Sequence, residues 1–282
     1  MISTLTSLKN DLVKRAASLK MKKYRQKEGL FLLEGKRAVE EALASRWTLR
    51  ALFFTRLPEG WERRAEESAL PWYEVPLPVL QKITATEDPQ SVAALVEIRQ
   101  ENLDSFAPER GLVLVLDQIR DPGNLGTLIR TADALGAAGV VLLEDTADLY
   151  NPKVVRSTMG SLFHLPVYTG VKAGEMETWC RKNGYALWAT ALEGAEDVTK
   201  LQWPAKTALV LGSEAEGVSP AILAAADQKV KIPMAGQAES LNVAVAGGIV
   251  MFEACITFCR ILWIIIKITN HYLQIAFKKT GT

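Results

Sequence analysis

Cysteine is scarce in this sequence, with only Cys180, Cys255 and Cys259 among 282 residues. So sparse and odd a set excludes a disulfide framework and points to reduced thiols in a cytoplasmic protein. Histidine is scarcer still. His164 and His271 stand alone, so no cluster has zinc-ligand spacing and no metal is expected. Long apolar runs are missing too: the uninterrupted stretch Ile261 to Ile266 is far short of the roughly 20 residues of a membrane span. The start of the chain, MISTLTSLKNDLVKR, has no apolar signal core, which argues against secretion. Nor does one sign of charge dominate, since 33 basic residues face 32 acidic ones.

What is present is globular: 49% of residues are hydrophobic and 23% charged, over a length that suits one large domain or two ordinary ones. The distribution of charge says more than its sum. Lys9, Lys14, Arg15, Lys20, Lys22, Lys23, Arg25, Lys27, Lys36 and Arg37 face only Asp11, Glu28 and Glu34, a local net of +7. Such a segment attracts a polyanion or forms a solvated helix face, and composition alone does not decide between them.

Periodicity divides the chain in two. Leu5, Leu8, Leu12, Ala16 and Leu19 recur at helical spacing and predict an amphipathic helix. Strands at GLFLLEG, LRALFFT and SVAALVEI alternate with helices at KRAVEEALASR and EGWERRAEESA, which predicts a small α/β domain over residues 1–98. The polar stretch RQENLDSFAPERG reads as a linker over 99–111. A second series follows over 112–258, with strands LVLVLD, GVVLLE, YALWAT, ALVLG and KVKIP. Its helices centre on Thr127–Leu135, Glu175–Lys182 and Pro220–Ala226, and a last one follows from Leu241. Near-continuous apolar strands predict a parallel sheet covered on both faces. Ligands of such sheets bind beyond the strands' carboxyl ends, so the loops DQIRDPGN, ATALEG, GSEAEG and PMAGQAESLN are the ones to watch.

Three of these segments hold residues that local structure does not require. DPGNLGTLIR contains G-x-x-G without the third glycine of a dinucleotide fingerprint, which disfavours an oxidoreductase. In its place stand Asn124 and Arg130, about 1.7 helical turns apart and so not bound to share a face. A surface or phosphate-contacting arginine explains Arg130 equally well, and Gly126 could serve only close helix–strand packing. In LVLGSEAEGVSP a structural turn accounts for Gly212, Gly217 and Ser219, but not for Glu214. In IPMAGQAESLNVAVAGG, Ser240 suits a helix cap. The small run Ala244 to Gly248 invites close approach by another backbone, a second subunit or a ligand.

Taken together, NLGTLIRTADALGAAGVVL, LVLGSEAEGVS and IPM…ESLNVAVAGGI resemble the SpoU (TrmH-type) branch of the SPOUT RNA methyltransferases, in order and at family-like separations. EGLFLLEGKRAVEEAL is similar to the RNA-substrate-binding domain that precedes many members, so the resemblance spans about residues 10 to 254. It implies an α/β protein: a trefoil-knotted, mostly parallel sheet domain preceded by a smaller ribosomal-protein-like domain. It further implies methyl transfer from S-adenosyl-L-methionine to an RNA ribose 2′-hydroxyl, with ribosomal RNA favoured over tRNA, and a homodimer with its last helix near the interface.

Carried over by position, the resemblance makes Asn124, Arg130, Glu214, Ser240 and Asn242 the catalytic set. Ala191, Leu192, Gly212, Ile232, Met234 and Leu241 become the cofactor contacts. Arg130 is then either proton acceptor or, because a guanidinium holds its proton to about pH 12, a stabiliser of the developing alkoxide. The competing reading is a catalytically inactive RNA-binding protein on the same fold. After Ala254 the chain continues CITFCRILWIIIKITNHYLQIAFKKTGT, which departs from the family pattern and leaves an atypical tail over residues 259–282. A cloning remnant combined with a shifted reading frame is favoured there over an interface-covering extension or a membrane contact.

Overall fold

A computed structural model describes residues 2–238 and 240–256; the atypical segment that follows lies outside them. The first half comprises β1 (Ile2–Thr4), α1 (Asp11–Ser18), α2 (Lys22–Glu28), β2 (Leu30–Glu34), α3 (Lys36–Ala44), β3 (Leu49–Phe54), α4 (Glu62–Glu67), β4 (Trp72–Glu74), α5 (Leu77–Ile83) and β5 (Val92–Glu97). Its five strands form a mixed sheet in the order β1-β4-β3-β5-β2, with β5 antiparallel to both neighbours. The helix expected from Leu5 begins later, at Asp11. Asn10 ends the preceding turn there by accepting the Leu12 N–H at 2.9 Å, and residues 2–4 pair with β4 instead.

The second half runs β6 (Gly111–Leu116), α6 (Pro122–Ala134), β7 (Gly139–Leu143), α7 (Pro152–Ser157), β8 (Val167–Val171), α8 (Ala173–Asn183), β9 (Ala186–Thr190), β10 (Glu196–Asp197), β11 (Lys206–Leu211), α9 (Pro220–Ala225) and β12 (Gln228–Lys231). A last helix, α10, covers 243–256. The seven-stranded sheet has the order β10-β12-β9-β11-β6-β7-β8, and every pair in it is parallel. Strand alternation sorts its side chains into two cores. Leu112, Leu114, Leu116, Leu209 and Leu211 face the core shared with α6, α7 and α10. Val113, Val115, Ala208 and Val210 face Met176, Trp179, Cys180 and Ile222 of α8 and α9. The continuous apolar strands of the sequence are therefore buried on both sides, as expected.

One apolar core continues from the first sheet into the second. Phe31 packs on Tyr150 with ring centroids 4.8 Å apart, and Trp47 meets Phe163 edge-on at 5.3 Å. Charged pairs rim the joint: Arg25 with Asp148, and Arg156 with Glu34 at 3.4 Å. His164 stands between Asp133 (2.8 Å) and Glu41 (3.1 Å). The segment read as a linker is itself packed. Phe106 stacks on Trp179 at 5.6 Å, and the Trp179 indole donates to the Phe106 carbonyl at 2.7 Å.

Candidate active site

The site begins with the start of α6. Asp121 accepts the Asn124 N–H at 2.8 Å and Pro122 follows at the first helical position, so the helix opens abruptly after β6. That hydrogen bond, with a smaller contribution from Lys153 at 3.6 Å, holds the Asp121 carboxyl below the usual carboxylate range. Gly126 serves helix–helix packing rather than the helix–strand contact considered above: a Cβ there would overlap Ser157 and stand 2.8 Å from the Val154 carbonyl oxygen of α7.

Three polar side chains from distant segments meet at this point. The Asn124 amide donates to Glu214 Oε1, and its Oδ1 accepts from Asn242 Nδ2 at 3.1 Å. Glu214 is held out by the turn after β11. Ser213 and Gly217 exchange backbone hydrogen bonds of 3.1 and 2.9 Å, and Gly217 adopts φ +71°, a conformation that favours glycine. A Cβ on Gly212 would collide with the Gly217–Val218 peptide crossing above it.

Asn242, not Ser240, caps α10. Its Oδ1 accepts the Ala244 N–H at 2.9 Å while its amide nitrogen reaches Asn124. Ser240 is exposed, two residues before the cap, and forms no part of the hydrogen-bonded trio. Both residues suit a cap; the register of the helix decides between them.

Arg130 lies on α6 but not in that trio. It is exposed and lines a groove of about 610 Å³ between α6 and α10, with Thr127, Thr131, Val245, Ile249 and Phe252. The small-residue run explains how the two helices come so close. A Cβ on Gly247 would stand 2.5 Å from Leu128 and 2.6 Å from Leu211, so this residue meets the chain's own α6 and β11.

The residues assigned to the cofactor lie on adjacent loops, because β11 pairs β9 and β9 pairs β12. The Ala191 N–H is taken by the Val230 carbonyl at 3.0 Å. Beyond it Leu192 is 82% exposed and Met234 is 42% exposed. Ile232 is half-buried against the core, and Leu241 is half-buried at the approach to α10.

Sequence reasoning missed Asp117, which is buried at the end of β6 and accepts the Ser219 N–H at 2.7 Å. The only hint was an acidic residue closing an apolar strand. Cys180 is buried, which pushes its thiol up to about 12 and leaves it unreactive.

Residues 111–252 match the SpoU rRNA Methylase family, and residues 10–94 match the MRM3-like substrate binding domain. The chain is 37% identical over 252 residues to the 23S rRNA (guanosine(2553)-2'-O)-methyltransferase RlmP of Bacillus subtilis, covering 88% of this chain and 98% of that protein. It is 35% identical over 244 residues to the 23S rRNA (uridine(2479)-2'-O)-methyltransferase of Streptomyces viridochromogenes, covering 82% and 84%. Among solved structures, the AdoMet-bound rRNA methyltransferase from Sinorhizobium meliloti superposes with a TM-score of 0.83 at 35% identity, over 90% of this chain and 97% of that one.

Proposed function

The chain belongs to the SpoU rRNA methylase family, and on that premise we propose how its residues carry a methyl group to a ribose 2′-hydroxyl. It is an RNA 2′-O-ribose methyltransferase that uses S-adenosylmethionine and acts on ribosomal RNA. Large-subunit RNA is the proposed substrate, since the two named relatives both act on 23S rRNA. The proposed division of labour gives RNA capture to residues 1–98 and the chemistry to 112–258.

The fit to the cofactor rests on the loop residues. Leu192 and Met234 present exposed apolar side chains on neighbouring loops, and Ile232 and Leu241 are half-buried. That is a surface suited to the faces of a purine, and the backbone of Ala191 and Gly212 borders it. The cofactor supplies an electrophilic methyl on a sulfonium; the protein's tasks are alignment and stabilisation of the sugar oxygen.

Arg130 would donate to that oxygen as charge develops on it, or to the adjacent phosphate, and keep its own proton, while the hydroxyl proton leaves to solvent water as the O–CH3 bond forms and the S–CH3 bond breaks. Asn124 is clamped between an acceptor and a donor, which fixes its amide and with it the start of α6. Glu214 accepts from Asn124 and braces the turn. Asn242 ties α10 to the same amide, and Ser240 is assigned to the substrate side of the loop. The observation that carries the proposal is the meeting of Asn124, Glu214 and Asn242, drawn from three separate motifs.

A homodimer belongs to the same proposal. Val245, Ile249 and Phe252 are 52%, 38% and 52% exposed along one face of α10, beside Ala134 and Leu135 of α6. A contiguous apolar face of this kind is rare on a monomer, and a second copy related by a two-fold axis covers it with the same two helices. A trefoil knot is part of the same proposal; α10 follows β12, next to the sheet edge, and returns to pack against α6 and β11.

The test is transfer of labelled methyl from S-adenosylmethionine to 23S rRNA, with the modified nucleotide mapped. Arg130→Ala is expected to lower kcat by about 10² to 10³-fold while calorimetric affinity for the cofactor is retained. An active Arg130→Ala enzyme would remove the proposed role, and a wild-type protein that binds RNA without transferring methyl would leave the non-catalytic alternative.

A further inference from the structure

We propose that Asp117 is a positioning residue for methyl transfer, acting through the turn that carries Glu214. The inference rests on the site described above. Asp117 follows β6, is 3% exposed, and engages both ends of the turn. Its N–H donates to the Leu211 carbonyl at 2.9 Å, where the turn leaves β11. Its Oδ2 accepts the Ser219 N–H at 2.7 Å, where the turn reaches α9. One residue just past β6 thus holds the departure and the arrival of the segment whose tip is Glu214.

Asp117 is itself aimed by a second clamp. Gln118 has φ +57°, a conformation rare for a residue with a side chain. It is held there by the Thr146 hydroxyl, which accepts the Gln118 N–H at 3.1 Å and donates to the Leu116 carbonyl at 3.0 Å. The residues on either side of Asp117 are pinned, which fixes the backbone from which its carboxylate reaches Ser219. From there the connection runs through Ser219 and the closed Ser213–Gly217 turn to Glu214, and from Glu214 to Asn124.

The chemistry explains why a carboxylate is needed. A buried carboxylate accepts a backbone N–H more strongly than a neutral amide does. An asparagine keeps one acceptor but adds two N–H donors that need partners in a buried position. An alanine leaves the Ser219 N–H without its acceptor.

The experiment is a double-mutant cycle in kcat between Asp117 and Glu214, with hydrogen exchange of the 212–219 segment measured on the same proteins. Asp117→Ala is expected to lower kcat about 10-fold or more in the wild-type background and less than about 3-fold when Glu214→Gln is already present, because the two act as one unit. Asp117→Asn should recover part of the loss. Exchange in 212–219 should rise in Asp117→Ala while the strands of both sheets keep their protection. Equal losses in the two backgrounds, or an unchanged kcat, would overturn the proposal. If Asp117→Ala does not fold, the same cycle is run with Asp117→Asn and read by the same criterion. Should the wild-type protein transfer no methyl at all, the functional reading fails, while the exchange measurement still decides whether Asp117 holds the turn.

Discussion

Helices α6 and α10 lie alongside each other, and the two ends of the pair have opposite characters. At their amino ends Asn124 and Asn242 share a hydrogen bond and Glu214 closes the group. Further along, Ala134, Leu135, Val245, Ile249 and Phe252 leave an apolar groove. Between the ends, Gly247 lets the helices touch through Leu128. In the proposed reading one helix pair serves two purposes, chemistry at the polar end and a second subunit at the apolar end. Arg130 stands at the border and belongs to both.

Of the two ends, the polar one carries the larger expected effect. Asn124→Ala removes two hydrogen bonds at once and should lower kcat about 10²-fold, with a small change in thermal midpoint because the group is solvent-facing. Steady-state kinetics beside a melting curve checks this. Next is the apolar end: Phe252→Glu should convert a dimer to a monomer by light scattering and reduce activity about 10-fold through loss of interface burial. If Phe252→Glu costs as much as Asn124→Ala, the two ends are not separable and the partner takes part in the chemistry.

The smallest effect concerns the far side of α6, where Asp133 and Glu41 hold His164. These hydrogen bonds, Asp133 first, raise the imidazole above its ordinary value of 6.5. A raised folded-state value means the stabilisation is complete below the unfolded value and is lost as the pH climbs through the folded one. His164→Gln should therefore flatten the pH dependence of the melting temperature above the ordinary histidine value of 6.5 and leave methyl transfer near neutrality unchanged. A parallel shift at every pH would mean the histidine only packs.

The parallel sheet was legible because its strands are apolar on both faces, a pattern that no surface strand shows. β8 was not, since Thr169 and Gly170 interrupt it at the sheet edge, where one side needs no cover. Asn124 and Glu214 stood out as polar residues that their turns do not need, and Asn242 came from the family resemblance. Their mutual contacts were invisible, being fixed by tertiary approach across 90 and 118 residues. Ser240 and Asn242 are equal candidates for a cap by type, and only the register of α10 separates them. Asp117 was hidden for a similar reason: its partner is 102 residues away, and a carboxylate at a strand end looks like any solvated one.

Because Asn242 precedes the last described helix, the order of synthesis bears on when activity arises. A nascent chain that has formed all twelve strands still lacks the third member of its polar trio. Only when α10 settles against Leu128 and Leu211, contacts of long sequence separation and thus slow to form, is the amide of Asn124 locked. Docking of this helix and locking of the Asn124 amide are then a single event.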